Sequence, residues 1–308
     1  MSSKRFPQTI MATVCLPWTE DFRLDEALLV KEIESIVAND VKTLYLFGTA
    51  GEGYSVDDPT FKRVVDIFEK TMRGCGGTTP IVGVIGTSFD AMKSRIDYCA
   101  DKGIGDFQIS FPCWGAPTDA EVMNFFHGIC DAFPGMRFMH YNNGARSRRM
   151  LTASEYRKIA DEIPNLVSVK NPGAGMAEII DCMRADLPIQ FFFMESTYGY
   201  ASLYGESALL ISILNMNYKM AHAYFEAGRK KDIAAITKID RDCRCVMDAF
   251  SLLSGGRIDA AYDKFFVKYM IPEFPHRLYP PYVGFSEQEF AKFDASVRRS
   301  IPDWFEEC

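Results

Sequence analysis

Short apolar runs alternate with amphipathic stretches along the first 225 residues of the chain. Eight runs have the length and composition of buried strands, at residues 9–16, 43–48, 80–86, 106–112, 137–142, 166–171, 189–195 and 208–213. Between them, apolar residues recur at helical spacing. Such alternation is typical of a parallel sheet, and eight repeats predict a (β/α)8 TIM barrel. An open doubly wound sheet is the alternative, but it favours a glycine-rich turn after strand one, and residues 15–18 contain no glycine.

The pattern changes near residue 226, where the strand-like runs stop. Residues 229–254, 256–270 and 286–300 have helical patterns, and a proline-rich link separates the last two. Within the barrel, Thr118 and Thr152 each begin a capping-box pattern, with a glutamate three residues later. We therefore predict a barrel over residues 1–225 that carries the active site, and a C-terminal helical region over residues 226–308 packed on it.

Composition and charge exclude several classes of function. The 308 residues include 34 basic and 41 acidic side chains, a net charge of −7, which argues against nucleic acid as the main partner. No apolar run approaches the roughly 20 residues of a membrane helix. No small-residue cleavage site follows the apolar run at residues 10–16, and the nine cysteines are scattered. We expect a cytoplasmic protein with reduced thiols and no membrane association.

Lys170 is the strongest candidate for chemistry. It ends the run Leu166-Val167-Ser168-Val169-Lys170, in which alternation predicts Val167 and Val169 on one face and Ser168 and Lys170 on the other. Burying an ammonium group is costly, so a lysine at the tip of an apolar strand is unusual. Desolvation can remove its proton and leave an amine that forms Schiff bases with carbonyl compounds. Barrels carry their active sites at this end of the strands.

Two other strand ends could complete such a site. Strand two ends in Gly48-Thr49-Ala50-Gly51-Glu52-Gly53, where glycines allow a ligand close to the backbone and successive N–H groups can hold an anion. Strand five ends in His140-Tyr141-Asn142. If Tyr141 points into the barrel, it lies beside Lys170 and can shuttle protons, while His140 packs against the helices.

A basic loop follows strand five. It contains Arg146, Arg148 and Arg149, and arginine can bind a carboxylate through two hydrogen bonds, which suggests an anionic substrate. We expect Arg148 and Arg149 to be solvated. The four histidines are dispersed, which disfavours a histidine metal site, and no Walker A or GxSxG pattern occurs. The loops after strands seven and eight lack a glycine-rich phosphate site.

These three sites together resemble the dihydrodipicolinate synthase / N-acetylneuraminate lyase family of pyruvate-dependent class I aldolases. The family motif Gly-Thr/Ser-Thr-Gly-Glu matches residues 48–52, and Tyr-Asn-x-Pro-x-Arg matches residues 141–146 with Gly144 in place of proline. The strand-six Gly-x-Lys matches Ser168-Val169-Lys170. Order and spacing agree from about Thr9 to Gly228.

The resemblance implies a role for each matched residue. Lys170 would form the Schiff base with C2 of pyruvate or another 2-oxo acid, so no separate cofactor is needed. Tyr141 would relay protons, and Thr49 would hydrogen-bond it. The turn that Gly48 opens would bind the pyruvate carboxylate through the backbone N–H groups of Thr49 and Ala50.

The resemblance also assigns residues around the substrates. Arg146 would face the far end of the second substrate, an aldehyde, and Leu210 would form an apolar wall against pyruvate. Family members associate with themselves, so we expect a dimer or a homotetramer.

Several positions depart from the family pattern. Ala50 replaces a common threonine, which removes a hydroxyl but keeps the backbone N–H, and Asn171 replaces a common glutamate. After strand four, the synthases have Pro-Tyr-Tyr, whereas this chain has Pro112-Cys113-Trp114. Indole cannot relay a proton as a phenol does. Trp114 is instead similar to the tryptophan of the hydratase-aldolase branch, and we place it among the substrate-binding residues.

We therefore expect a lyase that condenses pyruvate with an aldehyde, or cleaves the corresponding 2-oxo acid, through an imine on Lys170. A hydro-lyase or hydratase-aldolase acting on a 2-oxo acid through the same imine is one alternative. A non-catalytic paralogue that only binds 2-oxo acids is another, because Ala50, Gly144 and Trp114 all depart from the synthase pattern.

Overall fold

A computed structural model describes residues 5–171, 175–253 and 255–305. Eight parallel strands pair in chain order and close into a barrel, which confirms the predicted (β/α)8 architecture. The strands are β1 Ile10–Thr13, β2 Thr43–Leu46, β3 Thr79–Gly83, β4 Asp106–Ile109, β5 Arg137–Tyr141, β6 Leu166–Lys170, β7 Gln190–Met194 and β8 Ala208–Ile211. Each strand is shorter than the apolar run that predicted it. Several apolar residues of these runs lie beyond the strand ends and are buried in loops.

Helices follow the strands and form the outer layer. They are α1 Glu26–Ala38, α2 Asp58–Cys75, α3 Phe89–Ala100, α4 Asp119–Phe126, α5 Gly144–Ser147, α6 Ala153–Glu162, α7 Met176–Arg184, α8 Glu195–Tyr204, α9 Tyr218–Lys230, α10 Ile233–Phe250, α11 Asp259–Lys268 and α12 Glu287–Ser300. A π-helical turn, His127–Asp131, extends α4. The capping boxes at Thr118 and Thr152 are confirmed at the starts of α4 and α6.

The interior of the barrel is packed with large side chains. It contains Phe6, Met11, Tyr45, Ile81, Met139, Val167, Phe192, Ala208 and Leu210. The prediction that Val167 and Val169 share a face is wrong. The pairing of β5 with β6 shifts register after Phe138, so Val167 becomes an extra residue that packs inside, while Val169 packs outside.

The C-terminal helices pack against the barrel, as predicted. Helix α10 contacts α8, α9 and α12, and α11 contacts the 3-10 turn Ile213–Met216 after β8. The sequence assigned no helix range to α3 or α9, and the expected boundary at residues 225/226 falls inside α9. Within the described ranges, no helix is both long enough and apolar enough to cross a membrane.

Candidate active site

Lys170 lies at the end of β6 with its ammonium group inside the barrel. Its Nζ is 4.1 Å from the centroid of the Tyr141 ring and 5.1 Å from that of the Tyr45 ring. Tyr141 is directly opposite Lys170 in the β5–β6 pairing, and both side chains are buried. The structure therefore brings together the two residues on which the sequence argument depended. Tyr45 is a third member of this group, and its hydroxyl donates to Gln108 Oε1.

A cavity of about 80 Å³ surrounds the Lys170 side chain, and we call it the inner cavity. At about 30 Å³ per water molecule, this volume fits two or three waters or a small organic acid. The hydroxyl of Thr13, at the end of β1, is buried there without a protein hydrogen-bond partner, which suits a polar ligand. The lining residues are Thr13, Thr49, Ala50, Tyr141, Asn143, Lys170, Met194, Leu210, Ile211, Ser212, Asp259, Tyr262 and Asp263.

The loop after β2 supplies Thr49 and Ala50 to this cavity. In the described part of the chain, the backbone N–H groups of both residues have no protein acceptor, so both are available to an anion. Gly48 does not line this cavity. A Cβ at this position would lie 2.5 Å from Tyr45 Cε1, so Gly48 leaves room for the Tyr45 ring. Leu210 lies in the cavity wall.

Glu52 fixes the loop after β2 through hydrogen bonds of its side chain. Its buried carboxylate accepts hydrogen bonds from the Trp18 indole, from the backbone N–H of Tyr279 at 3.1 Å and from Lys264 Nζ at 3.2 Å. Lys264 also donates to the carbonyls of Leu16, at 2.8 Å, and Arg277. Complete burial lowers the pKa of Lys264, whereas the charge of Glu52 raises it. The C-terminal segment thus holds the loop in place.

The hydroxyl of Tyr141 has a partner that the sequence argument did not name. It accepts a hydrogen bond from Asn143 Nδ2 at 2.8 Å, and Asn143 Oδ1 accepts from the backbone N–H of Ala145 at the start of α5. The expected bond between Thr49 and Tyr141 does not occur among the described residues. Thr49 nevertheless lines the inner cavity together with Tyr141.

A larger cavity of about 590 Å³ adjoins the first and shares Thr49 and Tyr141 with it. This outer cavity is mostly apolar, and Tyr54 Oη is buried there without a protein partner. The ring of Tyr54 packs edge-on against Tyr282. The other lining residues are Gly53, Val56, Ile85, Gly86, Thr87, Ser88, Ala91, Met92, Arg95, Ser110, Phe111, Cys113, Ala145, Arg146, Arg148 and Ile258.

The three arginines after β5 have different environments. Arg146 lines the outer cavity, and its Nη2 lies 3.3 Å from Asp259 Oδ1. Arg148 is exposed at the edge of the same cavity, with a φ of 57°. The expectation that Arg149 is solvated is wrong: it donates to the carboxylates of Asp119 and Glu155 and to a backbone carbonyl, so it joins α4 to α6.

The placement of Trp114 among the substrate-binding residues is not supported. Its side chain is 87% exposed and lines neither cavity. The chain turns outward after Phe111, whose ring is buried against Phe125 and His140, and Trp114 follows at the surface. His140 lies outside the barrel as predicted, with Nδ1 2.7 Å from Tyr156 Oη, and burial lowers the pKa of His140 to about 3.

Helix α11 supplies residues that the sequence argument missed. Asp259, Tyr262 and Asp263 line the inner cavity, and the hydroxyl of Ser212 donates to Asp263 Oδ1. Burial raises the pKa of the Asp263 carboxyl to about 7, against the lowering effects of the Ser212 hydrogen bond and the Lys170 charge. Nothing in the sequence locates α11 over the barrel mouth.

Comparison with known proteins gives a consistent result. The model of the Dihydrodipicolinate synthetase family matches residues 6–257. A 4-hydroxy-tetrahydrodipicolinate synthase of Oenococcus oeni is 25% identical over 178 residues, which cover 56% of this chain and 59% of that synthase. The N-acetylneuraminate lyase of Gallus gallus is 23% identical over 239 residues, covering 76% and 74% of the two chains. The chain thus spans about three-fifths of the length of this synthase and of a second one, from Thermosynechococcus vestitus.

Solved structures share the fold over nearly the whole chain. A dihydrodipicolinate synthase from Bacteroides thetaiotaomicron superposes with a TM-score of 0.85 at 17% identity, covering 95% of this chain and 98% of that one. A prophage protein of the dihydrodipicolinic acid synthase family from E. coli K12, solved in complex with pyruvate, gives a TM-score of 0.83 at 15% identity with the same coverage.

Proposed function

The chain belongs to the Dihydrodipicolinate synthetase family, and we propose that it is a pyruvate-dependent class I lyase. The amine of Lys170 attacks C2 of pyruvate and forms a covalent imine. The imine loses a proton from C3, and the resulting enamine adds to an aldehyde; in the opposite direction, the corresponding 2-oxo acid is cleaved. The single observation that carries this proposal is the buried Lys170 ammonium against the Tyr141 ring, in a cavity of small-acid size.

The inner cavity suits pyruvate. The free N–H groups of Thr49 and Ala50 can hold its carboxylate, Leu210 packs against its methyl side, and the Tyr141 ring lies against Lys170, which suits the role of proton relay. The imine itself replaces any metal or organic cofactor in this scheme, because the iminium nitrogen withdraws electrons from the reacting bond.

The outer cavity suits the aldehyde, because it meets the inner cavity at Thr49 and Tyr141. Among the polar groups that line this cavity, we assign Arg146 and the hydroxyl of Tyr54 to the far end of the aldehyde. We further propose that the chain works in the cytoplasm as a homo-oligomer, a dimer or a homotetramer. The strongly exposed Trp114 supports such association, since a large exposed aromatic suits a subunit contact.

Borohydride trapping tests this function directly. Wild-type protein and Lys170→Arg are incubated with pyruvate, reduced with borohydride, digested and analysed by peptide mass spectrometry. We expect a reduced pyruvyl adduct on Lys170 in the wild type and none in the variant, which keeps the charge but cannot form a stable imine. A folded wild-type protein without an adduct on Lys170 contradicts the proposal.

A further inference from the structure

Helix α11 brings two carboxyl groups to the wall of the inner cavity, Asp259 and Asp263. The side chain of Asp263 is only 3% exposed, and the Ser212 hydroxyl after β8 donates to it. Burying a carboxylate is costly unless a cation or several donors compensate it. No described cation lies within ion-pairing distance of Asp263, so its position is poorly explained by stability.

The cavity that Asp263 lines is suited to a ligand that exchanges protons. Lys170 lies in the same cavity, and the unpartnered hydroxyl of Thr13 marks it as a site for polar atoms. The hydroxyl of Tyr141 is already occupied on one side by Asn143 and borders the outer cavity as well. A second proton-transfer group beside Lys170 in the inner cavity would therefore act in a different step of the reaction from Tyr141.

We propose that Asp263 is a further catalytic residue, the acid that removes water during imine formation on Lys170. This role rests on the proposed function. The attack of the amine on C2 first gives a carbinolamine. The carboxylic acid of Asp263 protonates its hydroxyl, the C–O bond breaks, and the nitrogen lone pair forms the C=N bond, so that water, an iminium cation and the Asp263 carboxylate result. Hydrolysis reverses these steps and returns the proton to Asp263.

The same carboxylate then faces the iminium cation across a small buried cavity. Opposite charges attract strongly where water is scarce, so the carboxylate stabilises the iminium that its own proton loss helped to form. Asp263 thus becomes a carboxylate in the same step that forms the iminium cation, and no other proton donor is required.

Several charged groups act on Asp263. Asp259 on the same helix and Glu195 at the start of α8 raise its pKa, whereas Lys170 on β6 lowers it, and burial has the largest effect. The sum raises the pKa to about 7, so both protonation states are populated near neutral pH. The charge of Asp263 in turn raises the pKa of Cys15 and of Glu32.

The pH profile of imine formation tests the role. The rate of pyruvate trapping on Lys170 is measured from pH 5 to 9, a range of about two units on each side of the Asp263 pKa. In the wild type, the rate should fall as pH rises through that pKa, because the acid form is lost. Asp263→Asn keeps an acceptor for Ser212 but cannot donate an acidic proton. It should trap about 100-fold more slowly and lack this alkaline decrease.

Two further variants leave Asp263 in place and should move the decrease in opposite directions. Ser212→Ala removes a hydrogen bond that lowers the pKa of Asp263, so the decrease should move to higher pH. Asp259→Asn removes a charge that raises this pKa, so the decrease should move to lower pH. Thermal unfolding shows whether Asp263→Asn folds. If it does not, Ser212→Ala and Asp259→Asn still test whether Asp263 acts as the acid.

The outcomes separate the two proposals. A wild-type adduct together with an unchanged rate and pH profile in Asp263→Asn overturns the role of Asp263 alone. So does an alkaline decrease that stays in place in both Ser212→Ala and Asp259→Asn. A folded wild-type protein that forms no adduct on Lys170 overturns the proposed function, and the role of Asp263 with it.

Discussion

Asn143 has two roles that a single substitution can separate. Its amide nitrogen donates to the hydroxyl of Tyr141, and its amide oxygen caps α5 through the backbone N–H of Ala145. In Asn143→Asp, the cap acceptor remains but the donor is lost. We expect kcat for the proposed aldehyde addition to fall by about 10- to 100-fold, because the phenol oxygen of Tyr141, the proposed proton relay, no longer accepts a hydrogen bond from residue 143.

The measurement is a steady-state comparison of wild type, Asn143→Asp and Asn143→Ala, with thermal unfolding of each. Asn143→Ala loses both the cap and the donor, so it should be less stable than Asn143→Asp and equally slow. Wild-type kcat in Asn143→Asp would show that the hydrogen bond to Tyr141 has no part in the reaction.

Individual site residues differed in how far the sequence could predict them. Lys170 and Tyr141 were predicted because strand alternation and the strand ends of a barrel determine where such side chains point. Val167 was misplaced because a register shift is a property of the strand pair and leaves no mark on one strand. Asp263 was missed because its position depends on how α11 packs, and neighbouring residues do not encode that contact.

Elements were predicted where their pattern was strong. The strands and the helices that begin with capping boxes at Thr118 and Thr152 were found, but α3 and α9 were not. The buried positions of α9 are Tyr218, Ala221, Tyr224, Ala227 and Gly228, which form a helical stripe of small residues and tyrosines rather than of large aliphatic ones. Gly228 is required because a Cβ there would lie 2.4 Å from Tyr198 Oη. Close helix packing therefore produced a weak hydrophobic signal in the sequence.

Two neighbouring arginines allow a test of how α4 is joined to α6. Arg149 bonds to Asp119 at 2.6 Å, to Glu155 and to a backbone carbonyl, whereas Arg148 is exposed. Arg149→Ala should lower the free energy of unfolding by about 1 kcal/mol, since an arginine with several partners contributes more than an isolated surface pair.

The matched control is Arg148→Ala, with urea unfolding as the measurement for both variants. We expect a change below about 0.5 kcal/mol for the exposed position. Equal losses in the two variants would mean that the contacts of Arg149 do not contribute to stability.

On the scale of the whole molecule, the C-terminal helices form part of the candidate active site. Helix α11 places Asp259 and Asp263 in the inner cavity, and its Lys264 reaches below the loop that carries Thr49. The sequence predicted that these helices pack on the barrel, but it assigned the site to residues 1–225 alone. The contacts that complete the site join segments far apart in the chain, so no local pattern could reveal them.

The buried ion pair of Lys264 and Glu52 allows a measurement of how far the candidate site depends on the C-terminal helices. The two side chains are 0% and 1% exposed and lie 3.2 Å apart. Lys264→Met leaves the Glu52 carboxylate buried without its cation, which should lower the free energy of unfolding by about 3–5 kcal/mol. It should also raise the KM for pyruvate, because Glu52 holds the loop whose N–H groups are the proposed site of the carboxylate.

A control on the same helix and a double variant sharpen the test. Lys268 lies one turn after Lys264, and its partner Glu287 is exposed, so Lys268→Met should cost less than about 1 kcal/mol. Lys264→Met combined with Glu52→Gln should cost less than the sum of the two single changes, because the uncompensated charge is gone. Urea unfolding of all variants gives the coupling. If Lys264→Met unfolds like Lys268→Met and binds pyruvate normally, the C-terminal helices do not support the loop that carries Thr49 through this pair.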